Sequence, residues 1–276
     1  MSLPRLEDAK FYFEADMERC EVFSTPAGEV GVYSCRCPGK ETSNEDVAAI
    51  LPYGERAAVL VVADGLGGVP AGEQASRLAT EALQRSVQTG FAAGMPLRDA
   101  IINGIEEANV AVQALAIGTG TTIAVAEIHE DEVRSYHVGD SMILVSGQRG
   151  KLKMQTISHS PVGYGVEAGL IDESAAMRHE DRHVVSNVIG SAEMRIELGP
   201  SLRLGRYDTV LLATDGLFDN LETPEIVEHI RKGPLSQVAE CLWRAARGRM
   251  DGGGERGPSK SDDLTLLVFR RASRGA

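Results

Sequence analysis

Aspartates stand at the ends of several apolar runs in this chain, and they are the residues best suited to do chemistry. The clearest run, residues 59–63, stops at Asp64 and Gly65. A short apolar run bounded by turn residues predicts a buried strand, so Asp64 would lie at the edge of a core. Gly65, Gly67 and Gly68 let the backbone approach a ligand closely. This corner could offer carboxylate and carbonyl oxygens to a hard cation, or it could be only a tight Asp-Gly turn.

Three more predicted strands begin or end at an acid, at Asp46, Asp215 and Asp262. If these strands belong to sheets packed face to face, the carboxylates would gather at one end of the sandwich, where their repulsion would raise pKa values unless cations lie between them. An all-oxygen cluster suits Mg²⁺ or Mn²⁺ and offers little to zinc or copper. Two such ions about 3.5–4 Å apart would activate a bridging water for in-line displacement at phosphorus. The alternative is a set of surface acids scattered over turns.

The elements that must position these acids follow from the hydrophobic period. Apolar residues recur at helical spacing over 75–87 and 97–115. From residue 121 the period becomes that of strands, and very short turns join four of them: 121–128, 132–138, 142–145 and 151–155. Connections this short predict an antiparallel meander and exclude a doubly wound parallel sheet. Further helices are expected near 172–177, from 223 and over 235–246.

Composition narrows the class of protein. At 276 residues, 43% hydrophobic and 25% charged, the chain fits one large domain. A net charge of −12 opposes nucleic-acid binding, because that binding relies on basic residues. No apolar run is long enough to span a bilayer and no signal peptide is evident, so a cytoplasmic protein without membrane contact is expected. The cysteines lack paired spacing and should be free thiols: Cys20, Cys35, Cys37 and Cys241.

Six motifs in order carry a family resemblance. They are Asn44-Glu45-Asp46, Asp64 to Gly68, Gly118 to Thr122, Gly139-Asp140-Ser141, Asp215 to Asp219, and Asp262-Asp263-Leu264-Thr265. Over about residues 30–270 the chain resembles the metal-dependent protein serine/threonine phosphatases, the type 2C or PPM family, in its bacterial form. The resemblance implies an α+β fold, a four-layer α-β-β-α sandwich with two central antiparallel sheets flanked by helix pairs. It also implies Mn²⁺- or Mg²⁺-dependent hydrolysis of phosphoserine and phosphothreonine in proteins, by direct attack of a bridging metal-bound water.

The resemblance assigns roles to the acids. The ligands of two ions would be Glu45, Asp46, Asp64, Gly65, Asp215 and Asp262. Asp64 would bridge both ions, with the Gly65 carbonyl on one of them, and the catalytic set would be Asp64, Asp215 and Asp262. Asp140 and Asp219 match a weaker third-metal site of the family. The protein partner would be a phosphoprotein substrate.

Some positions depart from the family pattern. Relatives place a phosphate-binding arginine shortly before Asn-Glu-Asp, whereas here Lys40 is nearest and Arg36 lies further back, so either could bind phosphate. Leu66 stands where eukaryotic members have a histidine, which excludes a general acid there. Protonation of the leaving group would then need metal-bound water or another residue, for which His159 is a candidate. Met142 replaces an arginine often seen after Gly-Asp-Ser.

Segment boundaries are predicted within one phosphatase domain over 1–276. Residues 1–29 form an N-terminal extension, 158–190 correspond to the flap that influences substrate choice in such enzymes, and 248–260 form a glycine-rich loop. Oligomeric state has no signature in the sequence.

Two rival functions remain open. His179-Glu180-Asp181-Arg182-His183 matches the HExxH signature of zinc peptidases, which requires a helix that puts both histidines on one face. The residues that follow look strand-like, which opposes this interpretation. A catalytically inactive relative that binds phosphoproteins is the other alternative, and retention of all four principal aspartates counts against it.

Overall fold

Two antiparallel sheets with helices on their outer faces make up this computed structural model, which describes residues 9–66, 71–252 and 259–271. The strands are β1 (Lys10–Phe13), β2 (Glu21–Ser24), β3 (Gly28–Cys35), β4 (Asp46–Tyr53), β5 (Ala57–Asp64), β6 (Ile123–His129), β7 (Glu132–Val138), β8 (Met142–Ser146), β9 (Leu152–Gln155), β10 (Glu197–Leu198), β11 (Leu202–Arg203), β12 (Thr209–Ala213) and β13 (Leu264–Arg271). The helices are α1 (Gly72–Ala92), α2 (Leu97–Gln113), α3 (Pro161–Glu167), α4 (Glu173–Ala176), α5 (Asp215–Phe218), α6 (Thr223–Ile230) and α7 (Leu235–Asp251).

The strand order explains how distant segments meet. The first sheet runs β1-β4-β5-β6-β7, with β10 and β11 both paired to β7. The second sheet runs β2-β3-β13-β12-β8-β9. All of these pairings are antiparallel, and β13, the last strand, lies between β3 and β12. Segments from both ends of the chain are therefore neighbours in the second sheet.

Burial on both faces explains the continuous apolar run of β5. Leu60 and Val62 point into the core between the sheets, while Val59 and Val61 pack against α1 and α2. The second sheet is covered on its outer face by α6 and α7. The molecule is thus a four-layer α-β-β-α sandwich, which confirms the predicted fold class.

The predicted meander is wrong at one point. The pairs β6–β7 and β8–β9 are antiparallel neighbours, but β7 belongs to the first sheet and β8 to the second. The chain passes from the first sheet to the second at Gly139. Its φ of 104° is a backbone conformation that glycine adopts at little energetic cost. A β-carbon there would overlap Thr122, the residue before β6. Asp140 therefore lies at the end of the sandwich, where the chain crosses from one sheet to the other.

Three predicted segments can be compared with the structure. The N-terminal extension contains β1 and β2, which are edge strands of the two sheets. The segment 158–190 contains α3, α4 and a 3-10 helix, Glu180–His183. The glycine-rich loop was predicted to begin at residue 248, which is wrong because α7 continues to Asp251. Residues 253–258 of that prediction lie outside the described residues.

Two smaller findings concern thiols and membranes. All four cysteines are free, as predicted. Across the ranges that the structure describes, no helix combines the length and the apolarity needed to cross a bilayer. The longest of the described helices, α1, has 21 residues, and its buried side chains pack against the outer face of the first sheet.

Gly216 is a glycine at which a substitution tests how closely the backbone segments of the fold are packed. It sits in α5 against the backbone before β13, and a β-carbon would overlap the carbonyl oxygen of Asp263. We expect Gly216→Ala to lower the free energy of unfolding by about 1–3 kcal/mol, since backbone must move. Gly248→Ala is the control, because nothing lies within 4 Å of the added carbon on the exposed side of α7. It should raise stability by up to about 1 kcal/mol. Urea unfolding measures both, and equal stability of the two variants would contradict the close packing.

Candidate metal centre

Two acids of the first sheet face each other across neighbouring strands. Asp46 is the first residue of β4, Asp64 is the last of β5, and the two are partners in the β4–β5 register. The Asp64 backbone is fixed on both sides: its N–H donates to Thr122 Oγ1 at 3.1 Å, and its carbonyl accepts from Thr121 Oγ1 at 2.7 Å. The strand ends therefore hold both carboxylates at the same end of the sandwich.

Acids of the second sheet join them through Thr214. Its hydroxyl donates to Asp46 Oδ2 at 2.8 Å, and it accepts the N–H of Thr265 at 3.1 Å, so it ties β4 to the β12–β13 pair. Asp215 follows directly as the first residue of α5. Among the described atoms, Asp46 Oδ1 and Asp215 Oδ1 are buried without a hydrogen-bond partner. Buried carboxylate oxygens of this kind need a cation or a donor to offset the cost of burial.

A lysine side chain supplies a cation in the middle of this cluster. The ammonium group of Lys260 contacts Asp215 Oδ2 and lies 3.1 Å from both Asp219 Oδ2 and Asp262 Oδ2. Its backbone is fastened to buried Asn220, because the Lys260 N–H donates to Oδ1 at 3.0 Å and Nδ2 donates to the Lys260 carbonyl at 2.8 Å. Three carboxylates surrounding one positive charge make a set of oxygen donors that fits a divalent cation. Lys260 carries no motif in the sequence that predicts this position, although it stands two residues before Asp262.

Burial is the largest cause, and repulsion between neighbouring carboxylates the second, of the raised pKa values of these acids. Lys260 offsets part of the effect at Asp140, Asp219 and Asp262. The pKa is raised to about 6 at Asp219, to about 7 at Asp262, to about 8 at Asp140, and well above its usual range at Asp46 and Asp64. The negative charge of Asp215 raises the pKa of both Asp140 and Asp219, the predicted third-metal pair. These two acids therefore lie in the electrostatic neighbourhood of Asp215. A bound divalent ion would reverse the shifts.

The predicted phosphate-binding residues occupy different surroundings. Lys40 Nζ lies 2.6 Å from both Glu45 Oε2 and Asp263 Oδ2, beside the predicted acidic pair. Arg36 instead bonds Asp16 at 2.9 Å near the surface. Asp263 also accepts the Glu45 N–H at 2.8 Å, so it holds the loop that carries Glu45, a role the sequence did not reveal. Lys40 is thus the better placed of the two cations.

Gly65 is where the first sheet meets α1. A β-carbon on Gly65 would overlap the carbonyl of Gly72, the first residue of α1, and one on Gly72 would crowd Glu45 Oε1 at 2.5 Å. The Gly65 N–H donates to the Glu45 carbonyl at 3.2 Å. These glycines let the helix, the strand end and the acidic loop come together. Gly67 and Gly68 lie outside the described residues.

A second group of side chains has the spacing of a metal site, but the protonation of its histidine does not suit a metal. Ligand atoms of His137, His159 and Glu197 lie within 4.8 Å of one another. His159 Nδ1 accepts from the Gly139 N–H at 3.0 Å and from Asn187 Nδ2 at 2.9 Å, so the ring proton is on Nε2, which lies 3.1 Å from Glu197 Oε2. A metal on Nε2 would need an imidazolate. Buried His159 therefore fits a residue that positions the turn before Asp140 better than a general acid.

The HExxH motif lacks the helix that zinc binding requires. His179 has an extended backbone and caps a 3-10 helix that ends at His183. Its Nδ1 accepts the Asp181 N–H at 3.1 Å. The two histidines do not share the face of an α-helix, so the geometry opposes a zinc peptidase.

Known proteins share this fold and these motifs. A family model described as protein phosphatase 2C matches residues 37–249. The chain belongs to the protein phosphatase 2C family. Serine/threonine phosphatase stp of Listeria monocytogenes is 27% identical over 238 residues, 83% of this chain and 90% of that protein. Protein phosphatase PhpP of Streptococcus pneumoniae is 29% identical over 218 residues, 75% and 87% of the two chains. The crystal structure of Stp1 from Staphylococcus aureus has a TM-score of 0.77 at 25% identity and covers 93% of this chain and 100% of that one. This member of the family is a protein phosphatase.

The raised pKa values predict how stability depends on pH. Unfolded aspartates titrate near pH 4, whereas Asp219, Asp262 and Asp140 titrate at about 6, 7 and 8 in the fold. The folded metal-free protein binds more protons over this interval, so their stabilisation is complete below about pH 4 and lost as pH rises through 6 to 8. We expect the Tm in chelator to fall between about pH 5 and 8.5, and added Mn²⁺ to remove most of that fall. Differential scanning fluorimetry measures the Tm at each pH, with chelator and with Mn²⁺.

A matched pair of variants isolates the cluster. Lys260→Met should steepen the fall, because the internal cation is lost. Lys153→Met is the control, since Lys153 pairs with Asp208 instead. A chelated protein whose Tm rises over this range, or a Lys260→Met profile parallel to that of the control, would contradict the proximity of these acids.

Proposed function

We propose that this phosphatase hydrolyses phosphoserine and phosphothreonine in proteins with the help of Mn²⁺ or Mg²⁺. The observation that carries the proposal is that Asp215, Asp219 and Asp262 surround Lys260 Nζ, while Thr214 bonds the first-sheet acid Asp46 beside them. Such an all-oxygen donor set suits hard divalent ions rather than zinc or copper.

The residues of the cluster divide by sheet. Asp64 and Asp46 would hold ions from the first sheet, assisted by Glu45 and the Gly65 carbonyl. Asp215 and Asp262 would hold them from the second sheet, and Asp140 with Asp219 would supply a third position. Two divalent ions bound there would activate a water for in-line attack on phosphorus and offset charge on the phosphoryl oxygens. Lys40 would add a point charge for a phosphate oxygen.

Direct attack by water is favoured over attack by a cysteine thiol. Cys37 is the thiol nearest the cluster in sequence, and its N–H donates to Asp263 Oδ1 at 2.7 Å. Burial first, and then Asp262 and Asp263, raises the pKa of its thiol. A thiol that stays protonated at neutral pH is a poor nucleophile. The chain therefore relies on its carboxylates rather than on a cysteine.

Aspartate substitution tests this proposal with an aryl phosphate. Asp64→Asn keeps the shape of the side chain but removes its charge, and we expect turnover of para-nitrophenyl phosphate with Mn²⁺ to fall at least about 100-fold. Asp99→Asn, on the exposed start of α2, should leave turnover unchanged. Chelator should abolish turnover by the unaltered protein.

Two outcomes would overturn the proposal. Equal turnover in metal and in chelator would exclude a divalent-ion mechanism. Tight binding of a phosphopeptide without turnover under any metal condition would favour the inactive phosphoprotein-binding relative.

A further inference from the structure

A cavity of about 540 Å³ opens beside the carboxylate cluster. We call it the flap cavity. Its lining comes from α3 and α4 of the segment 158–190 and from β9 and α5. Asp140, Asp215 and Asp219 line one end of it. A ligand that places a phosphate at the cluster therefore has this cavity as its immediate neighbour.

The flap cavity has polar lining residues together with an apolar, adaptable part. Its apolar lining includes Met142, Met154, Met177, Val162, Val166 and Phe218. Three of the eight methionines of the chain thus converge on one space from segments far apart in sequence. Methionine is unbranched and polarisable, and surfaces rich in it accommodate apolar groups of different shapes. The lining suits an apolar ligand group whose identity varies.

Apart from the acids of the cluster, three charged groups in the walls are already engaged, and a fourth, Glu167, is exposed. Glu173 of α4 accepts the N–H of Thr223 at 2.9 Å, which joins the flap to the start of α6. Arg182 donates to the Ser259 carbonyl at 2.7 Å and also bonds the Met177 carbonyl. Lys153 pairs with Asp208. These bonds hold the walls in place and leave the apolar surface to select the ligand.

The size of the cavity limits what it can accept. A sphere of 540 Å³ is about 10 Å across, which is the reach of about three residues of extended chain at 3.3 Å each. A single leucine or phenylalanine side chain would enter while its own backbone crosses the rim. The occupant is then part of a peptide whose phosphate lies at the cluster.

We propose that the flap cavity binds a large apolar side chain of the phosphoprotein substrate, within about three residues of the phosphorylated residue. This specificity pocket rests on the proposed function, because it assumes that a phosphorylated peptide occupies the cluster. It would make the enzyme select substrates by an apolar residue near the phosphorylation site rather than by charge.

Binding of non-hydrolysable peptides tests the pocket without needing turnover. The probes carry the phosphonate analogue of phosphoserine in an alanine background, with leucine placed at each of the three positions on either side. Fluorescence anisotropy in Mn²⁺ should show that leucine at one of these positions tightens binding about 10-fold or more. Leucine at every position binding no tighter than alanine would overturn the proposal.

Two filling variants and one control locate the effect. Val166→Trp on α3 and Met154→Trp on β9 fill the cavity from two different elements, and each should reduce the leucine preference to less than about 2-fold. Leu170→Trp is the control, because Leu170 lies in the same segment, is 82% exposed and does not line the cavity. A preference that survives both filling variants, or that Leu170→Trp removes equally, would overturn the assignment to this cavity.

Turnover of para-nitrophenyl phosphate separates this proposal from the proposed function. The filling variants should keep turnover of this small substrate within about 2-fold of the unaltered protein, because they leave the carboxylates in place. A protein that prefers leucine peptides but never turns over the aryl phosphate would refute the function and keep the pocket. Turnover without a peptide preference would refute only the pocket.

Discussion

Repulsion between carboxylates is the constraint on which this structure depends. Acids from both sheets share one end of the sandwich, where burial weakens their hydration and each raises the pKa of its neighbours. Such a group is stable only when it is protonated or when a cation lies within it. The Lys260 ammonium lies beside Asp215 and Asp262 and supplies one such positive charge. The arrangement is therefore a cation site by its physical requirements before any family is considered.

The architecture converts this requirement into fixed positions. Asp46, Asp64 and Asp262 lie at or next to the ends of strands buried on both faces, so the backbone that carries them cannot relax away from its neighbours. Thr214 links the two sheets through Asp46, and the change of sheet at Gly139 brings Asp140 to the same end. The rigid sandwich thus holds like charges together, while the segment 158–190 on one side forms an apolar wall beside them.

Sequence patterns could predict some of these features and not others, for physical reasons. The continuous apolar run before Asp64 predicts strand β5, because both faces of that strand are buried. The same two-sided burial gives no sign of which sheet a strand joins. The crossing from the first sheet to the second between β7 and β8 therefore cannot be predicted from the pattern. Edge strands β1 and β2 have four residues each and no fully buried side chain, which leaves little hydrophobic pattern. Lys260 resembles a loop lysine until the fold surrounds it with acids. Met142, Met154 and Met177 become a pocket only through tertiary packing.

Diffraction from crystals grown with Mn²⁺ is the most direct test of the central claim. An anomalous difference map should show manganese within bonding distance of Asp64 and of Asp215 or Asp262, at about 2.0–2.3 Å for oxygen ligands. The Lys260 ammonium should then have moved out of the carboxylate cluster. Carboxylates still gathered around Lys260 at saturating Mn²⁺, with no anomalous peak beside Asp64, would contradict the account.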